Sequence, residues 1–84
     1  MSEHIGSVRQ GEREYTILLG YGAPGFYEWE LLTTRWIAEN GHERGNTVTA
    51  AKGRATDREA AVAQAHDALH AAIKAARYPK RQDS

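Results

Sequence analysis

From Thr56 to Ala76 the chain contains no Gly or Pro and is dominated by Ala, the best helix former, so this segment is one long helix around which the rest must be arranged. Thr56 followed by Glu59 matches a capping box, with a Thr N-cap and each side chain covering an orphan amide. Val62, Ala65, Leu69, Ala72, Ile73 and Ala76 fall within one stripe at helical spacing. Lys74, Arg77, Lys80 and Arg81 sit where the helix dipole favours cations, and Pro79 ends the element. At 1.5 Å per residue the helix would be about 31 Å long.

A helix with one apolar stripe needs a second layer, and the preceding sequence reads as strands. Residues 1–12 show no periodicity and read as a disordered arm. From Arg13, Tyr15, Ile17 and Leu19 share one face at period two. Gly20 to Gly25 supplies the Gly and Pro residues of a hairpin loop. In the second strand Tyr27, Trp29 and Leu31 share a face, while Glu28 and Glu30 point away, as in a half-buried antiparallel strand. Residues 33–45 are ambiguous. They extend strand two if Asn40-Gly41 forms the next turn, and a bulge near Thr33-Thr34 would decide whether Trp36 or Ile37 faces the core. Residues 46–53 make a third short strand with Val48 and Ala50 inward. The expected fold is α+β in two layers, β-β-β-α: a three-stranded antiparallel meander covered on one face by one long C-terminal helix. The domain spans 13–78, with a basic disordered tail over 79–84.

Strands of seven or eight residues reach only about 23–26 Å, so the helix end with Ile73, Ala76 and Tyr78 should overhang the sheet. The face without a helix carries Leu18, Phe26 and Leu32. Together these six residues are the candidate self-association interface.

Eighty-four residues make one domain, and the absence of cysteine excludes disulfides, thiolate metal sites and a Cys nucleophile. No apolar run suits a secretory leader or a membrane span, and the expected location is the cytoplasm. Eleven basic residues balance eleven acidic ones, so no global field draws the chain to nucleic acid or anionic lipid. The halves differ: residues 1–45 carry four Arg against seven Glu, and residues 46–84 carry seven cations against four acids.

Few residues invite chemistry. Gly20-Tyr21-Gly22-Ala23-Pro24-Gly25 spells GxGxxG, but a dinucleotide site needs a helix next, and a strand follows. The strand–loop–strand order resembles the protein-kinase loop, yet the chain has no room for that family's other motifs. His66 and His70 have i, i+4 spacing without a third ligand, so no metal is expected. Lys52 to Thr56 leads into a helix N-terminus already occupied by Asp57 and Glu59. Serine occurs at positions 2, 7 and 84, all expected in tails, which leaves no Ser nucleophile. Glu28 and Glu30 have no apolar neighbour to raise a pKa for acid–base work.

Three strands followed by a helix opening Thr56-Asp57-Arg58-Glu59-Ala60-Ala61 resemble the plant ethylene-response-factor DNA-binding domain and the arm-site domains of tyrosine integrases. Gly53-Arg54-Ala55-Thr56 into the helix is similar to the second half of a double-stranded-RNA-binding domain. These resemblances imply a sheet-plus-helix topology and make Arg35, Lys52 and Arg54 candidate nucleic-acid contacts. The sequence departs from them at Glu28 and Glu30, which phosphate repels, and at Asp57, Arg58 and Glu59, where the RNA-binding family places lysines. The expectation is a non-enzymatic interaction module without cofactor, pairing with itself or another protein. A nucleic-acid-binding domain is the alternative.

Overall fold

The computed structural model describes residues 2–21 and 25–77. Four strands precede the helix: β1 (Ser2–Gln10), β2 (Arg13–Tyr21), β3 (Tyr27–Glu39), β4 (His42–Ala55), then α1 (Arg58–Arg77). They form one antiparallel sheet in the order β1-β2-β3-β4, with the helix packed on β2, β3 and β4. The shortest dimension, 16 Å, is that of one sheet and one helix, so the other sheet face is open.

The two-layer α+β expectation holds, but the sheet has four strands rather than three. Residues 2–10, expected as a disordered arm, are β1, which pairs with β2 from Ser2↔Gly20 to Gln10↔Arg13. Residues 33–45 extend β3 without a bulge and turn through Asn40 (φ 51°) and Gly41 (φ 81°) into β4. Two consecutive positive φ angles are the backbone of a type I′ hairpin, which the Asn-Gly pair favours. β3 and β4 thus run on past β2, whose last pair is Arg13↔Arg35, as a two-stranded ribbon.

The length relation is therefore the reverse of that expected. Thirteen residues of β3 reach about 43 Å, against about 30 Å for the helix, so sheet overhangs helix. Ile73 packs half-buried against the core and Ala76 is exposed, while Tyr78 and the tail 79–84 lie outside the described residues.

The core lies between helix and sheet: Tyr15, Ile17 and Leu19 of β2, Trp29 and Leu31 of β3, and Ala61, Ala65 and Leu69 of α1. Period-two patterning placed the strand residues correctly. The alanines serve by being small, since they let the helix approach β4, whose inward residues Ala51, Gly53 and Ala55 are equally small. Trp29 fills the remaining space. A Cβ on Gly53 would stand 2.8 Å from Trp29 Cζ2, and the indole Nε1 donates to Gln64 Oε1 at 2.9 Å.

Each edge strand carries one bulge: Ile5 is the extra residue of β1, and Ala50 that of β4. The Ala50 bulge leaves Val48, opposite Thr33, on the helix side but beyond α1, so Val48 is exposed, and Ala50 is exposed as the unpaired bulge residue; neither joins the core. The helix cap also moves by one residue. Asp57 Oδ1 accepts the Ala60 N–H at 2.8 Å, which makes Asp57 the N-cap in place of Thr56.

Candidate functional site

Among the described residues no element covers the sheet face opposite α1, and the register fixes what that face presents. Across β1 to β4 its rows are His4–Leu18–Glu30–Lys52, Ser7–Thr16–Leu32–Thr49 and Arg9–Glu14–Thr34–Thr47, with Glu28–Arg54 at one end and Trp36–Gly45 at the other. Leu18 and Leu32 are diagonal neighbours at the centre, and both are half-buried. Phe26 sits at the margin, half-buried, with the Arg54 guanidinium 4.8 Å from its ring centre. Three of the six interface candidates thus share one surface, and Ile73 and Ala76 belong to the helix on the other side.

Beside Leu18 the face dips into a shallow open depression of about 350 Å³, bordered by Gly20, Glu28, Glu30, Lys52 and Arg54. Glu28 stands opposite Arg54 and Glu30 opposite Lys52, yet neither pair forms an ion pair among the described residues. Glu30 instead accepts from Thr49 Oγ1, and Arg54 stacks on Phe26.

The far end of the face is locked. Trp36 Nε1 donates to Glu14 Oε1 at 3.0 Å, and Arg9 lies over the indole at 5.5 Å while its Nη2 donates to Glu43 Oε2 at 3.1 Å. The Trp36 N–H donates to the Glu12 carbonyl at 2.7 Å, which ties the ribbon to the β1–β2 turn. Neither Trp36 nor Ile37 joins the core. Trp36 lies half-buried on the open face, and Ile37 is exposed on the helix side. The contact of Arg9 with Glu43 reaches across the sheet between residues 34 apart in sequence, and no local pattern could have announced it.

The candidate nucleic-acid contacts do not converge. Lys52 and Arg54 lie on the open face beside Glu28 and Glu30, whereas Arg35 projects from the helix side. Of the GxGxxG stretch, Gly20 and Tyr21 belong to β2 and residues 22–24 lie outside the described residues, and the element that follows is β3, not a helix. His66 Nδ1 lies 3.1 Å from the Val62 carbonyl oxygen on its own helix, and no group of three or more metal-ligating side chains occurs among the described residues. Among those residues no helix is long and apolar enough to cross a membrane. No family model, curated protein or solved structure matches the chain.

Proposed function

We propose that the chain is a non-enzymatic interaction module that pairs with a second copy of itself, open face to open face. The supporting observation is the half-buried Leu18–Leu32 pair at the centre of a sheet face that no element covers among the described residues. A two-fold axis parallel to the strands and between β2 and β3 overlaps the whole face and gathers Leu18 and Leu32 of both copies into one central cluster. Four strands about nine residues long offer roughly 19 by 30 Å, or about 600 Å² per copy. That is the small end of specific interfaces, where association is reversible and depends on protein concentration. Sedimentation over a concentration series tests it: twice the chain mass at tens of micromolar is expected, and a monomer throughout would defeat the reading. Nucleic-acid binding is the weaker reading, since its three cations occupy opposite faces and two of them adjoin carboxylates.

A further inference from the structure

On the helix side, the ribbon and the neighbouring end of the sheet extend past α1 and are left bare among the described residues. Val8 is 39% exposed, Ile37 40% and Val48 62%, although the alternation points all three toward the layer that α1 forms elsewhere. Next to them Arg13 and Arg35 stand directly opposite each other on β2 and β3, both exposed and without an ion pair among the described residues. Like charges in a cross-strand pair destabilise a sheet, so this pairing costs the free protein stability. Arg44 lies diagonal to Arg35 on β4, and its contact with Glu39 is long, 3.7 Å, between exposed side chains. Such a contact is weak and leaves Arg44 available.

We infer that this surface docks an acidic amphipathic segment of a partner protein, which occupies beside α1 the part of the layer that α1 leaves empty. Apolar side chains of the segment would cover Val8, Ile37 and Val48, and its carboxylates would relieve the Arg13–Arg35 repulsion. Guanidinium groups suit this role because they bind carboxylates in two-pronged fashion and lose little hydration in doing so. Single-stranded nucleic acid fits less well. The patch pairs its cations with aliphatic residues and, among the described residues, offers no exposed aromatic ring on which a base could stack. The surface lies on the opposite face from the self-pairing surface, so the two proposals stand or fall separately.

The test uses the full chain and a synthetic helical peptide of alternating Glu and Leu turns, beside its Gln-for-Glu counterpart and an oligo-dT strand of similar length. The Glu peptide should bind at least about tenfold more tightly than the Gln peptide, and the advantage should shrink with added salt. Arg13→Gln with Arg35→Gln should abolish that preference while Leu18→Glu leaves it intact. The paired Gln substitutions remove a repulsion, so the fold should survive them, as circular dichroism would check. Equal binding of both peptides, or a preference unchanged by the Arg substitutions, would overturn the assignment. So would tighter, Arg13/Arg35-dependent retention of oligo-dT, which would make the surface a phosphate-binding one.

Discussion

The benzo ring of Trp36 fills the place where a side chain on Gly45 would stand: a Cβ there would lie 2.9 Å from Trp36 Cζ3 and 3.0 Å from Thr34 Cγ2. The same relation recurs on the other face, where Trp29 covers Gly53. Each tryptophan repairs a glycine in the neighbouring strand, which otherwise has nothing to pack. Gly53→Ala should cost about 1–3 kcal/mol, because Trp29 is confined between sheet and helix and forced overpacking has no exit. Gly45→Ala should cost less, since Trp36 is only half-buried and has no helix packed over it, so its displacement costs the contacts with Glu14 and Arg9 rather than core packing. Thermal melts of the two variants should rank in that order, and the reverse order would mean that Trp36 is the more tightly held ring.

Capping gives a second pair of variants. Asp57→Ala should lose about 1 kcal/mol of stability, and Thr56→Ala should lose little, because the Asp57 carboxylate holds the Ala60 amide. Equal losses in chemical denaturation would restore Thr56 as the cap.

This one-residue displacement typifies what the sequence could and could not convey. A Thr-Asp pair ahead of a helix offers two competent caps, and only backbone geometry selects between them. The alternation of Tyr15, Ile17, Leu19, Tyr27, Trp29 and Leu31 was legible because large side chains repeat at the period of a strand. β1 was not, because its apolar residues are Ile5 and Val8, whose odd spacing fits no alternation until the Ile5 bulge is allowed for. Its register is held at one end by Arg9, through contacts with Trp36 and Glu43 that no local pattern encodes. β4 was read too short and in the wrong phase because its core-facing residues are Ala51, Gly53 and Ala55, which carry almost no hydrophobic signal. Of the candidate interface, Leu18, Phe26 and Leu32 were legible as the face opposite the core residues. The bare helix-side patch depends on long strands passing a shorter helix, and the sequence reading had that relation inverted.

The bulges at Ile5 and Ala50 sit only on the two strands whose outer edges are unpaired. A bulge interrupts the row of free backbone groups and twists the edge away from a second sheet. Deleting Ala50 keeps Thr49 opposite Leu32 and Ala51 opposite Leu31, so the register survives while the edge becomes regular. The variant should fold with an unchanged far-ultraviolet spectrum but aggregate at lower concentration or bind thioflavin T. Wild-type solubility in the deletion variant would show that the bulge serves packing rather than edge protection.

Self-pairing through the open face separates two groups of residues that the sequence placed in one interface. Leu32 is half-buried on the open face with only Thr16 and Thr49 beside it in its row, so Leu32→Glu should cost the monomer little. In a dimer the same carboxylate would lie in the centre of the contact, next to the leucines of the other copy, and burying an unpaired charge there would cost several kcal/mol. Sedimentation should therefore show the Leu32→Glu protein as a folded monomer at concentrations where wild type is dimeric. Ile73 packs against Leu69 and the core on the helix side, so Ile73→Glu should instead lower the melting temperature of the monomer. Its dimer affinity, measured at a temperature where it stays folded, should match wild type. Dissociation by Ile73→Glu with Leu32→Glu still dimeric would move the interface to the helix and refute the open-face pairing.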